Sequence, residues 1–250
     1  MTASIDGLKL AFKAVIDGRP WRLDPVALRM PWNEEGYQLA EHGGGKGLVF
    51  GMMVDDGFVR AAPPFARALD EVKRALEAAG HKVVQWNAYE AQKGYAHFAE
   101  VWTADGHKDL YDTLALSGEP RVGPLGNGPE AELRDEVGVT KYWEFQYRKQ
   151  RFLKAQLDHW NATAQNTGTG RPVDAVLCPT SATPPQTLRG LQYYGYTAWC
   201  NLADFPAAVI PVTRVDPAKD PKVARESFHS DLDKQLWEMC EYPREGRSSR

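Results

Sequence analysis

One stretch constrains the fold of this chain more than any other. A short apolar run, Gly47 to Val54, precedes Pro63-Pro64; Phe65, Leu69, Val72 and Leu76 then recur at helical spacing up to Gly80, and a second short run, Lys82 to Trp86, follows. Short apolar runs bounded by turn residues read as strands, and the 3.6-residue periodicity between them reads as a helix. Parallel strands need a crossover of a dozen or more residues, which a helix supplies with right-handed sense. The expected class is therefore α/β, part of a mixed, largely parallel twisted sheet covered by helices. Val173 to Pro179 and Ala207 to Val212 are also short and apolar between turn residues, and both are predicted to be buried strands.

The remaining segments read as helices and loops. Ile5, Leu8, Phe12, Val15 and Ile16 share one face of a helix that Ser4 caps, and its packing partners are expected elsewhere in the fold. Pro20, Pro25, Pro31 and the run Gly43-Gly44-Gly45 mark a long connection. Residues 89 to 115 are aromatic-rich helical pieces, and 116 to 138 a Gly- and Pro-bearing loop. A longer helix is predicted from Lys141 to Ala164, with Tyr142, Phe145, Phe152, Leu153, Leu157 and Trp160 inward. Asp231 to Met239 forms one more helical stretch, and the polar ending 241 to 250 is expected to be a disordered tail.

Charge and composition exclude several partners. With 33 acidic and 30 basic side chains and a net charge of −3, the chain lacks the basic footprint of a nucleic-acid binder. No apolar run reaches the roughly 20 residues of a membrane helix, and the segment after Met1 has no charged start with a greasy core. A cytoplasmic location is expected. Cys178, Cys200 and Cys240 stand far apart, and the 6 histidines form no HxH, HxxxH or HExxH, so neither a disulfide framework nor a metal or other cofactor is expected.

Few residues suggest chemistry directly. GxSxG, P-loop and GxGxxG patterns are absent, and the triple glycine before Lys46 reads as a flexible loop. Cys178 ends a predicted strand, where α/β proteins place functional groups, but a cysteine in an apolar strand reads first as inert core. Asp55-Asp56 could bind a cation or hold a substrate, and Asp-Asp-Gly after a strand also reads simply as a turn. Thr180, Ser181 and Thr183 bring hydroxyls beside prolines, with Lys46 a conceivable activating amine; loop hydrogen bonding is the plainer reading. Tyr193, Tyr194, Tyr196 and Trp199 either line an apolar pocket or form a buried helix start.

The segment Tyr196-Thr197-Ala198-Trp199-Cys200-Asn201-Leu202-Ala203-Asp204-Phe205-Pro206, continuing through Ala207 to Thr213, resembles the amidase-signature family, in particular its fungal acetamidase-like branch and fatty-acid amide hydrolase. Val173 to Thr180, Gly47 to Arg60 with the following helix, and Ser4 to Trp21 resemble other stretches of that branch, in the family order. The resemblance covers most of residues 3 to 240. It implies the amidase-signature fold, a small amide substrate and no cofactor. Enzymes of the family hydrolyse the carboxamide C–N bond with a Ser nucleophile, a bridging Ser and a Lys.

The Gly/Ser-rich block that carries the family's two serines has no counterpart in this sequence, and Lys46 does not match the family Lys in order or context. No catalytic residue is therefore carried over. By resemblance, Tyr194, Thr197, Asn201, Asp204 and Ile210 are expected on a wall of the substrate channel. After Trp237-Glu238-Met239 the sequence also departs from the family pattern. The expectation is one amidase-signature domain fragment over 1 to 250, incomplete at both ends, inactive alone and prone to self-association through unpaired sheet edges. The alternative reading is a non-catalytic binding module or pseudo-enzyme that retains an apolar pocket.

Overall fold

The computed structural model describes residues 2, 4–120, 135–185 and 191–240. The chain divides into two compact units, Met1–Leu48 and Val49–Arg250. The predicted tail at 241 to 250 and much of the predicted loop at 116 to 138 lie outside the described residues.

The first unit begins with helix α1, Ile5–Asp17, and Ser4 caps it as expected, its side chain accepting from the Gly7 amide at 3.1 Å. A 3-10 turn at Pro20–Arg22 and a short helix α2, Glu34–Tyr37, follow. Glu34 is the hub of this unit. It accepts from Trp32 Nε1 at 2.7 Å and Gln38 Nε2 at 2.9 Å, with Lys9 and Lys13 at 3.6 and 3.7 Å. Those bonds, the Gln38 bond foremost, hold its carboxyl down at about 2.

The second unit contains the predicted crossover. Strand β1 is Val49–Met52, helix α3 is Pro63–Ala78 and strand β2 is Lys82–Gln85. Pro63 and Pro64 sit in the first helical turn, where a missing N–H leaves no bond broken. Gly80 ends the element with a φ of 86°, a left-handed conformation that suits glycine. Helices α4, Ala91–Trp102, α5, Lys108–Ser117, α6, Val139–Ala162, and α7, Ala164–Thr167, lead to strand β3, Ala175–Leu177. Helices α8, Gly195–Leu202, and α9, Asp231–Met239, complete the order. The strands run parallel in the order β2-β1-β3, with Phe50 opposite Val83 on one side and Ala175 on the other. This is the expected α/β arrangement of parallel sheet and covering helices.

The core forms where the helices meet β1. Trp86 is 3% exposed and lies against Gly51, where a Cβ would come within 3.0 Å of its ring. The rings of His159, Trp160 and Trp199 surround it at 4.8, 5.1 and 6.3 Å. Val49, Met53, Val59, Tyr193, Tyr196 and Leu236 belong to the same cluster.

Two expectations are corrected. Ala207 to Val212 is not a strand: the segment joins no ladder, and Val209, Ile210 and Val212 are 71%, 59% and 41% exposed. Apolar character gives a segment the capacity to be a strand, but the ladder requires a neighbour to pair its amides and carbonyls. In α6, Tyr142 and Leu157 face outward at 41% and 53% exposure. Phe145 is buried as expected, Phe152, Leu153 and Trp160 are half-buried, and Gln156 is buried as well. Gln156 is buried because both ends of its amide are used: it donates to the Tyr89 carbonyl at 2.9 Å and accepts from Trp199 Nε1 at 3.0 Å.

Candidate functional site

Ligands of open parallel sheets bind beyond the carboxyl ends of the strands. A small cavity stands at that end of this sheet. Met53 and Asp56, just after β1, and Ala88 and Tyr89, just after β2, form part of its lining. Helix α4 adds Gly94 and Tyr95, α6 adds Phe152, and α8 adds Gly195 and Trp199. Its volume is about 20 Å³, room for a group of one or two heavy atoms.

Asp56 is the acid of this cavity. Its Oδ1 accepts from the amides of Phe58 and Val59 at 2.9 and 2.8 Å, closing the turn after β1, and its Oδ2 accepts from the Tyr193 hydroxyl at 2.5 Å. Asp56 is buried, at 7% exposure. Burial raises its pKa, against the opposing pull of Tyr193 and the two amides. The Tyr193 phenol is pushed up in turn by burial and then by the Asp56 charge. The turn reading of Asp55-Asp56 is visible here. The pair forms a turn, with Asp55 accepting from the Gly57 amide at 2.9 Å, and Asp56 faces a cavity.

The loop from Met53 to Ala62 that carries Asp56 is fixed from several elements. Tyr196 donates to the Val59 carbonyl at 2.7 Å, and Ser230 to the Phe58 carbonyl at 2.8 Å. Asp233, 1% exposed, accepts from the Arg60 amide at 3.2 Å and from Arg225 at 3.0 Å. Such over-determination holds a carboxylate in one place without help from solvent.

The residues expected on a channel wall do not enter this cavity. Tyr194, Thr197 and Asn201 lie on the exposed side of α8, opposite Tyr196 and Ala198, and Asp204 follows the helix with its carboxylate 3.2 Å from Lys149. Ile210 is exposed on the irregular segment beyond. The aromatic group divides between its two readings. Trp199 lines the cavity, whereas Tyr193 and Tyr196 are buried at the helix start and Tyr194 is 44% exposed. Tyr89, Tyr95 and Phe152 were not singled out for a site by sequence, because only the fold brings α4, α6 and the β2 end together.

The remaining candidates are quiet. Burial pushes the Cys178 thiol up to about 12, which suppresses the thiolate a nucleophile needs. Ser181 donates to the Thr183 carbonyl at 3.0 Å, as loop hydroxyls do. Gly43, Gly44 and Gly45 take φ values of 64°, 65° and 78° in a turn. Among the described residues no group of three or more His, Cys, Asp or Glu could hold a metal ion, and no helix is long and apolar enough to cross a membrane.

Comparison with known proteins places this geometry in a family. The family model for Amidase matches residues 1–231. "Amidase 1" of Gibberella moniliformis is 36% identical over 84% of this chain and 39% of its own length. An acetamidase of Aspergillus oryzae is 31% identical over 94% of this chain and 43% of its own. The solved structure of a fatty acid amide hydrolase superposes with a TM-score of 0.74 at 25% identity, over 95% of this chain and 41% of that one. The chain thus spans about two fifths of the length of the curated relatives it matches. The match over nearly the whole sequence, together with the shared parallel-sheet fold, makes this chain a member of the amidase family.

Proposed function

We propose that this chain belongs to a hydrolase of the carboxamide C–N bond in small amides and contributes part of the fold and one wall of the substrate channel, without the Ser-Ser-Lys machinery. The observation that carries this reading is the family match across residues 1–231, joined to a sequence that has no Gly/Ser-rich block. Amide hydrolysis needs an activated nucleophile and pre-placed oxyanion donors, and losing either costs orders of magnitude in rate. The chain by itself is therefore inactive, as a single amidase-signature domain fragment.

The wall in this reading is the exposed side of α8 and the segment after it, with Tyr194, Thr197, Asn201, Asp204 and Ile210. Their exposure suits side chains that face a channel closed by other parts of the fold. The apolar, unpaired segment Ala207 to Val212 and the outer edges of β2 and β3 give the same reading a physical consequence, self-association through unpaired edges. A second reading, a non-catalytic binding chain, is favoured by the aromatic cavity at Asp56.

Incubation of the 250-residue chain with acetamide and longer carboxamides, followed by ammonia detection, tests the proposal. No turnover above buffer is expected, and no covalent labelling by a fluorophosphonate. Turnover or stoichiometric serine labelling by the chain alone would show that it holds its own nucleophile.

A further inference from the structure

We propose that the cavity beside Asp56 is a binding site for a small ammonium cation, with aromatic rings as its walls and the Asp56 carboxylate as its counter-charge. The inference goes beyond amide hydrolysis and does not rest on it.

Three buried aspartates in this unit make the case by comparison. Asp220 is 1% exposed and receives the Arg67 guanidinium on both oxygens, at 2.7 and 2.8 Å. Asp233 is 1% exposed and pairs with Arg225 at 3.0 Å. Asp56, at 7% exposed, receives only uncharged donors: two backbone amides and the Tyr193 hydroxyl. A buried carboxylate is either paired with a cation or driven toward its neutral form. Of these three, Asp56 is the one without a cationic side chain, and it borders the cavity.

The cavity has the chemistry of the missing partner. Tyr89, Tyr95, Phe152 and Trp199 line it, and its lining includes no basic side chain. Aromatic faces carry the negative part of the ring quadrupole and attract ammonium groups, more strongly when water is excluded. A carboxylate offers about four lone-pair positions, of which three are taken here, so one remains for an N⁺–H donor. The cavity, about 20 Å³, has room for a group the size of ammonium or methylammonium. The charged side chains on the neighbouring start of α4, Glu90 and Lys93, are paired with each other at 2.5 Å. Asp55 and His229, at 3.4 Å, likewise form their own pair beside the turn.

The test is an NMR titration of the 250-residue chain with methylammonium chloride at constant ionic strength, reading the indole N–H of Trp199. A saturable shift is expected with methylammonium and none with methanol, its uncharged counterpart, or with sodium chloride. Asp56→Asn should weaken binding at least about tenfold, as loss of a desolvated charge contact does. Ala91→Leu, from another lining position, fills the cavity while leaving the carboxylate in place, and should weaken binding to the same extent. Equal responses to methylammonium and methanol, or undiminished binding in either folded variant, would overturn the proposal.

Discussion

Tyr193 donates its hydroxyl to Asp56 across 137 residues of sequence at 2.5 Å, joining the start of α8 to the turn that follows β1. Because both groups are buried, the bond is worth more as a satisfied pair than its modest net strength suggests. Tyr193→Phe leaves one carboxylate oxygen without its donor and should cost about 1–3 kcal/mol. A lower urea midpoint at unchanged slope is the expected result. Tyr196→Phe, which frees only the Val59 carbonyl, should cost less, about 1 kcal/mol.

The pH dependence of stability follows from the raised pKa of Asp56. The native chain keeps this proton at pH values where the unfolded chain has lost it, so the Asp56 contribution favours folding at low pH. It declines as pH rises from the ordinary carboxylate range, about 4, to the raised native value. Asp55, Tyr193 and Tyr196 face the group, with His229 beyond Asp55, and the phenols stay neutral through this range. Asp56→Asn should therefore remove a declining component from the stability profile above about pH 4. Parallel profiles for the two proteins would contradict the assignment.

Arg67 holds a different part of the fold. Besides Asp220 it donates to Thr213 Oγ1 at 2.8 Å and to the Arg214 carbonyl at 2.7 Å, pinning the loop after Val212 to α3. Arg67→Ala strands a buried carboxylate and should lower the unfolding midpoint far more than Arg74→Ala, whose partner Asp70 is exposed. The Arg67→Ala/Asp220→Ala double variant should recover part of the loss, which a double-mutant cycle measures.

Cys178 should resist alkylation. With its thiol near 12, about one molecule in ten thousand carries the thiolate at pH 8. Mass spectrometry after iodoacetamide treatment of the native chain should find Cys178 unmodified, and denaturation should expose it.

Local pattern made much of the fold legible. The β1-α3-β2 crossover was readable because its apolar periodicity changes between residues 54 and 63 and because Pro63-Pro64 and Gly80 mark the helix ends. The helix Asp231–Met239 and the Ser4 cap were readable for the same kind of reason. Ala207 to Val212 misled because strand identity depends on a neighbour, and composition says nothing of one. Gln156 was missed because a polar residue enters the core only when both ends of its amide find partners, here Tyr89 and Trp199. At the site, Asp56 stood out as a turn residue with a possible ligand role, whereas its bond to Tyr193 and the converging rings of Tyr95 and Phe152 depend on tertiary contacts.

The central claim, that this chain forms a working part of an amide-hydrolase fold, is tested most directly by a chimera. Residues 2–240 replace the matching part of the Aspergillus oryzae acetamidase, and acetamide hydrolysis is measured on the folded product. The account predicts that hydrolysis persists and falls when Asn201 or Thr197 is replaced by a bulky side chain. A folded chimera that retains the acetamidase's own serines and lysine yet hydrolyses no amide would contradict it.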